Sequence, residues 1–520
     1  MNSKRNTKIR LIVISAIIMV GLAALGWRTS IGLSDQARAS EPVYWPTEGW
    51  QESTPEEQGI DSEKLADGLL AMRAKNINIH SLLIIRNGYV VTDATFYPYD
   101  GQTVHDVASV TKSVMTTLIG IAADQGKLDL DDTMLSFFPN YTIANLDGRK
   151  KEITVRHLVS MSSGLDCTAE GDEKTLKEMV ASPDYVQFAL DRKAAWLPGE
   201  QFVYCSPAIH LLSPILQQAS GMPALEFARQ YLFEPLGIGN AMWEMDPQGY
   251  YDGWGDLSLN PRDMAKIGFL FLNHGQWDGK QIVSSQWVEA ASQAQTEAPG
   301  DYVPYGYGWW MDTAVEGAYR ADGRGGQYIF ILPGWNMILV TTGSGFQMDE
   351  IAPYLLASFS DFEQPLPPNP QGVNRLTAAV ASVIQPPAPS QVTPLPEIAQ
   401  QISGKTYVFG PNPTQLISIA AEFDGSSEAT IFAEGTDLPL ASHLVGLDGV
   451  YRFSTGADGR PVAFRGAWIN AQTFFLEYDG ITNNDHSMFE FRYEGDQVEV
   501  TVQETAHAVG AQFVGHLQNP

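Results

Sequence analysis

DVASVTKSVMTT, residues 106–117, sets Ser109 three positions before Lys112 at the head of an apolar run with helical spacing, SVTKSVMTTLIGIAADQGKL. A helix beginning near Ser109 would put both side chains on one face. A serine hydroxyl is a weak nucleophile until a base takes its proton. A lysine can be that base when burial or a second cation lowers its pKa toward neutrality. The helix N-terminus adds a backbone N–H beside the serine, suited to a developing oxyanion. Alone, Ser-x-x-Lys arises by chance in 520 residues, and it describes a capping serine beside a solvated lysine equally well.

Two later segments bear on the choice. LPGEQFVYCSPAIHLLSPILQQASG carries Tyr204-Cys205-Ser206 ahead of an amphipathic helix, about 95 residues beyond Ser109. A phenol there could shuttle a proton, and a neighbouring hydroxyl could orient the lysine. ADGRGGQYIFILP, residues 321–333, is a Gly-rich entry to a strand, where backbone can approach a ligand closely. The N–H near Gln327 would supply a second oxyanion donor. Histidine is a poor candidate base. His105, His157 and His210 read as structural, because the G-x-S-x-G elbow of a Ser-His-Asp hydrolase is missing. Asp106 reads as a charge at the helix terminus.

The chain around these motifs divides into regions. A helical pattern runs through DSEKLADGLLAMRAKN, with Asp61 or Ser62 as its cap, and SLLIIRNGYVVTDATFY gives two strands about Asn87-Gly88, a strong hairpin signal. A long helical middle follows, including a helix that starts at Asn260-Pro261-Arg262-Asp263. Strands return at YGYGWWMD, GGQYIFILP and NMILVTTG. The flanking strands can therefore form one antiparallel sheet with helices on both sides. Residues 364–398 are proline-rich around a short helical stretch and read as a linker. Beyond them, seven or eight short alternating strands suggest a small antiparallel barrel or sandwich.

Composition narrows the function. The net charge is −28, and the first 40 residues hold six Lys/Arg against one Asp, so the remainder is more acidic still. Such a body repels phosphate backbones and anionic membrane surfaces, which excludes nucleic acid as a partner. Lys4, Arg5, Lys8 and Arg10 precede the uncharged run Leu11–Trp27, and Ala37-Arg38-Ala39 offers a small-x-small cleavage site. Residues 1–40 thus read as a signal peptide or signal anchor, which puts the body outside the cytoplasm, in contact with the membrane if uncleaved. Cys167 and Cys205 are the only cysteines. Their number and spacing suit no zinc site, and by themselves they fit a disulfide or two buried thiols equally.

Taken in order and spacing, the three motifs resemble the serine β-lactamase and penicillin-binding-protein superfamily, in particular its class C-like esterase and amide-hydrolase branch. That branch includes carboxylesterases, D-amino-acid peptidases and 6-aminohexanoate-dimer hydrolases. The resemblance spans roughly residues 50–360 and is supported by VRHLVSMSSGL (155–165), LPGEQFVYCS (197–206), LSLNPRDMAKIGFLFLNHGQW (257–277) and YGYGWW (305–310). It implies an α+β fold in which an antiparallel sheet is flanked by helices, with an all-helical subdomain. The resulting division is a serine hydrolase domain at 41–363, a linker at 364–398 and a C-terminal β domain at 399–520. It also implies Ser109 as nucleophile, with Lys112 and Tyr204 relaying the proton. The N–H groups of Ser109 and Gln327 become the oxyanion hole, and Ser206, Arg324, Gly325 and Gly326 the substrate-binding positions. In the family the segments bearing Cys167 and Cys205 approach the active site, which implies a disulfide between them. No metal or organic cofactor is implied.

Two departures matter. Position 206 is Ser, where class C lactamases have Asn. The third motif, Arg324-Gly325-Gly326, lacks the family's Lys and hydroxyl residue, although Arg324 keeps a charge that could hold a substrate carboxylate. Both favour an esterase or amidase acting on a small ester, amide or peptide. A β-lactamase, a D-amino-acid peptidase and a non-catalytic module for cell-wall peptides are the alternatives.

Overall fold

The computed structural model describes residues 44–518 apart from 168–171, 297–302, 361–363, 436–439, 457–458 and 507–508. The basic and apolar segment 1–40 lies outside the described residues. Among those described, no helix is long and apolar enough to cross a membrane.

Asn87 and Gly88 both take left-handed backbone, with φ of 52° and 84°, and join β1 (Ile79–Arg86) to β2 (Tyr89–Thr95) as the sequence predicts. Four further strands complete the sheet: β3 (Trp310–Met311), β4 (Tyr319–Gly323), β5 (Gln327–Leu332) and β6 (Met337–Gly343). Their order is β2-β1-β6-β5-β4-β3, with every neighbour antiparallel. The N-terminal flank thus pairs with the C-terminal one, Leu83 opposite Val340.

Every residue of β1 is buried, because both faces of the sheet are covered. Leu83 and Ile85 face a core shared with α2 (Val110–Asp124) and α3 (Pro261–Leu272). Leu82 and Ile84 face the opposite core, packed by α1 (Ser62–Ala74), α4 (Met348–Ser358) and α5 (Pro370–Val383). Asp61 caps α1 through the Lys64 N–H at 3.0 Å, and Asn260 caps α3 through the Arg262 N–H at 3.0 Å. The helix α5 arises from the proline-rich segment, where Asn369 accepts from Gly372 N–H at 3.0 Å and Arg73 holds the other end through the Val383 carbonyl at 2.8 Å. Between α2 and α3 lies the helical subdomain, with Val155–Val159, Tyr185–Asp191, Ser206–His210, Leu212–Ser220 and Ala224–Ala228.

α2 is the central helix, buried without a break from Val110 to Ala122. Gly120 lets it approach closely, since a Cβ there would overlap the Trp287 indole. Gly120→Ala is therefore expected to cost about 1–3 kcal/mol by overpacking, read as a lower urea midpoint at unchanged m-value.

The C-terminal domain is a closed nine-strand barrel with a tenth short strand, Arg452–Thr455, paired to its outside edge. Among the described residues ten strands are present, not seven or eight. The two that the alternation missed, Ala441–Gly446 and Val509–Leu517, are the ones that close it. Val509–Leu517 pairs with the first strand, Thr406–Phe409, and Gly446 meets Arg465 in parallel. Phe423, Trp468, Phe474, Tyr493 and Val500 fill the interior, so the barrel is packed.

A polar seam joins the barrel to the N-terminal domain. Tyr451 N–H donates to the Tyr97 hydroxyl at 3.0 Å, and the Thr505 hydroxyl donates to the Ser344 carbonyl at 2.7 Å. Asp106 N–H donates to the Thr482 carbonyl at 2.8 Å. Behind these, Glu477 accepts from Arg465 at 2.7 and 2.8 Å, from Tyr451 at 2.6 Å and from His486 at 3.0 Å.

Candidate active site

The turn into α2 sets the nucleophile candidate. Ala108 has φ of 47°, a left-handed backbone that a residue with a Cβ adopts only when it is held. Asp106 holds it, accepting from the Ala108 N–H at 2.8 Å. Ser109 then stands at the N-cap, but its side chain makes no capping bond. Its Oγ instead accepts from Lys112 Nζ at 2.8 Å. Lys112 is 1% exposed, which rules out the solvated lysine that the local pattern alone allowed.

Lys112 is fixed from two more directions. Its Nζ donates to the Trp254 carbonyl at 2.7 Å and lies 5.0 Å from the Tyr204 ring centre. Tyr204 stacks on Trp310 at 5.6 Å, and α2 in turn grips the YGYGWW segment through Thr116 and the Tyr307 carbonyl at 3.0 Å. The Trp254 carbonyl is held in place by its loop. His210 Nε2 lies 3.0 Å from Asp246, while its Nδ1 accepts from the Gly253 N–H at 3.4 Å. Burial, then the charges of Asp256 and Asp246, push the Asp252 carboxyl in this loop up to about 8.

The histidines have partners away from Ser109. Buried His105 bonds His80 at 2.9 Å and the Asp106 carbonyl at 2.7 Å, and burial, followed by the neighbouring His80, drives its pKa down to about 3. His157 sits in a capping box with Thr154, and His210 supports the lysine's carbonyl partner.

Cys167 and Cys205 are disulfide-bonded, with Cα atoms 5.4 Å apart. The bond ties the Leu165–Cys167 segment to the residue next to Tyr204, and it is compatible with an extracytoplasmic location. Ser206, 1% exposed, opens the helix behind it.

Arg324-Gly325-Gly326 forms the turn between β4 and β5. A Cβ on the preceding Gly323 would stand 2.5 Å from the Val107 carbonyl and 3.3 Å from Ala108 Cβ, so this turn lies against the entry to α2. The Gln327 side chain is locked to β6, with Nε2 donating to the Gly343 carbonyl at 2.6 Å. Arg324 Nε donates to Asn484 Oδ1 at 2.9 Å, and Asn484 Nδ2 donates to Asp106 Oδ2 at 3.0 Å. Burial raises the Asp106 carboxyl, against the pull of Arg460 and Arg324. Among the described residues, no group of three or more His, Cys, Asp or Glu could hold a metal ion.

Sequence reasoning named Ser109, Lys112 and Tyr204, and the structure brings the three together. It missed the Trp254 carbonyl, Trp310 and Asn484. The first is a backbone atom, which no residue type signals. Asn484 lies 378 positions from Asp106 in a different domain.

A family model described as Beta-lactamase matches residues 71–357, more than half of the chain. A 6-aminohexanoate-dimer hydrolase of Paenarthrobacter ureafaciens is 24% identical over 319 residues, 56% of this chain and 80% of the relative. A beta-lactamase of Escherichia coli K12 is 26% identical over 150 residues, 29% of this chain and 37% of the relative. Among solved structures, a Bacillus anthracis protein provisionally described as a 6-aminohexanoate-dimer hydrolase superposes with a TM-score of 0.51 at 20% identity, covering 61% of this chain and 89% of that one. The chain belongs to the beta-lactamase family of hydrolase folds.

Proposed function

We propose that this protein hydrolyses ester or amide bonds through an acyl-enzyme on Ser109. The observation that carries the reading is the 2.8 Å bond between Lys112 Nζ and Ser109 Oγ at a lysine shielded from water. An amine within hydrogen-bond reach of the hydroxyl meets the geometric requirement for a general base. Ser109 Oγ attacks the substrate carbonyl carbon while its proton passes to the Lys112–Tyr204 pair. The oxyanion is stabilised by the N–H groups of Ser109 and Gln327. The same proton is returned to the leaving alcohol or amine as its bond to the acyl carbon breaks. Water, deprotonated by the same pair, then releases the acid and restores Ser109. The two named relatives, a 6-aminohexanoate-dimer hydrolase and a beta-lactamase, support a hydrolase. Ser206 in place of Asn, and the Arg-Gly-Gly third motif, favour esters and amides over β-lactams.

The test is steady-state hydrolysis of 4-nitrophenyl esters and D-amino-acid amides by wild type and Tyr204→Phe. Tyr204→Phe keeps the ring against Lys112 and Trp310 and removes only the hydroxyl. It is expected to lower kcat by about 10²–10⁴-fold with little change in KM, the usual size of a lost proton-transfer group. Equal kcat for the two proteins would remove Tyr204 from the relay. Failure of wild type on every ester and amide would remove the hydrolase reading.

A further inference from the structure

The barrel reaches into the candidate site through the loop of residues 480–485, between the strands Thr473–Asp479 and His486–Glu494. The loop is held by its own bonds: Ile481 N–H to Asp479 at 2.7 Å, Gly480 N–H to the Asp485 carbonyl at 2.8 Å, and Asp485 N–H to Asn483 Oδ1 at 2.8 Å. Hairpin tips are ordinarily exposed. Here Ile481, Thr482 and Asn484 are 2%, 0% and 2% exposed, because the hydrolase-fold domain covers them.

Both ends of the Asn484 amide bond to the site. Its Nδ2 donates to Asp106 Oδ2 at 3.0 Å, and the other Asp106 oxygen fixes the Ala108 N–H, one residue before Ser109. Its Oδ1 accepts from Arg324 Nε at 2.9 Å, at the start of the turn that leads to Gln327. A Cβ on Gly325 would lie 2.6 Å from Asn484 Cβ, so the turn rests on this residue. One amide therefore spans the two walls from which the proposed oxyanion donors project. A carboxamide fits where neither a carboxylate nor an apolar group would. The first would oppose Asp106, and the second would leave both partners unsatisfied.

The same bond fixes what Arg324 can do. In the resemblance, its position belongs to substrate-carboxylate binding. Here the guanidinium is bonded through Nε to the barrel loop, and its charge, together with that of Arg460, acts on the carboxyls of Asp106 and Asp256. We infer that Asn484 is a positioning and specificity-determining residue. It holds Ser109 and Gln327 in register and ties Arg324 to the barrel loop, so the site takes esters and amides with no carboxylate near the scissile bond. The inference rests on the acyl-enzyme reading above.

The full-length protein, wild type and Asn484→Ala, is assayed on two esters that differ in a terminal carboxylate, 4-nitrophenyl butyrate and mono-4-nitrophenyl glutarate. Wild type is expected to favour the neutral ester in kcat/KM by about tenfold or more. Asn484→Ala is expected to lose about tenfold in kcat on the neutral ester with KM nearly unchanged, as a misplaced oxyanion hole would. It should also move the anionic-to-neutral ratio of kcat/KM upward by about tenfold, and adding Arg324→Ala should abolish that move. A folded Asn484→Ala protein with unchanged kcat and ratio overturns the inference. So does a wild-type preference for the anionic ester, a result that does not depend on the variant folding. Wild type that turns over neither ester and takes no fluorophosphonate label overturns the acyl-enzyme reading itself. Turnover and labelling with an unaltered ratio overturn only the role of Asn484.

Discussion

Ser109→Ala is expected to lower kcat/KM on 4-nitrophenyl esters by at least about four orders of magnitude, the loss typical of a removed nucleophile. Its unfolding midpoint should stay within a few degrees of wild type, since the Ser109 side chain caps nothing. Lys112→Met, of similar shape and without charge, is expected to lose activity on the same scale. It leaves the Trp254 carbonyl without its donor, so its stability should fall by about 1–3 kcal/mol. The double variant should be no worse than Ser109→Ala alone, because residues acting as one unit are not additive. Kinetics on the three proteins, with urea melts alongside, check each part. An additive double variant would mean that Lys112 acts independently of Ser109.

The second large effect concerns stability and lies in the seam. Glu477 is held down to about 2: burial opposes ionisation, but His486, Arg465 and Tyr451 hydrogen-bond the carboxylate and Arg465 adds its charge. A carboxylate with a lowered folded pKa stabilises fully above its unfolded value of about 4.3 and loses that contribution as pH falls toward the folded value. A shift of this size corresponds to about 3 kcal/mol, lost between roughly pH 4.5 and 2. Glu477→Gln is expected to start about that much less stable at pH 7 and to show a shallower acid slope than wild type in that window. Buried His105 adds an earlier onset. Its folded pKa of about 3 lies below the ordinary value of about 6.5, so stability is lost from pH 6.5 downward as the unfolded state takes up the proton. Urea midpoints measured from pH 7 to 3 separate the two. Parallel slopes for wild type and Glu477→Gln below pH 4.5 would contradict the role given to Glu477.

Where local pattern decided structure, the sequence was readable. Asn87-Gly88 set a hairpin, Asp61 and Asn260 set helix starts, and the apolar flanks at 79–86 and 337–343 paired as one sheet. Ser109, Lys112 and Tyr204 were legible because their motifs keep a fixed order. The two missed barrel strands lack the signal. Val509–Leu517 carries Gly510 and Gly515, and Ala441–Gly446 ends in a glycine. Two of these glycines answer packing: a Cβ on Gly515 would overlap the Phe409 ring, and one on Gly446 the Val450 carbonyl. Asn484 was hidden for a different reason. Its meaning comes from two partners in another domain, and an asparagine in GITNND reads as a turn residue. Arg324 was found, but its partner was not, and the partner determines what its charge does.

The central claim is a covalent acyl-enzyme on Ser109, and intact-protein mass spectrometry after fluorophosphonate treatment tests it most directly. One adduct per chain is predicted, mapping to the peptide that contains Ser109 and absent from Ser109→Ala. An adduct on another serine, or undiminished ester turnover in Ser109→Ala, would contradict the account.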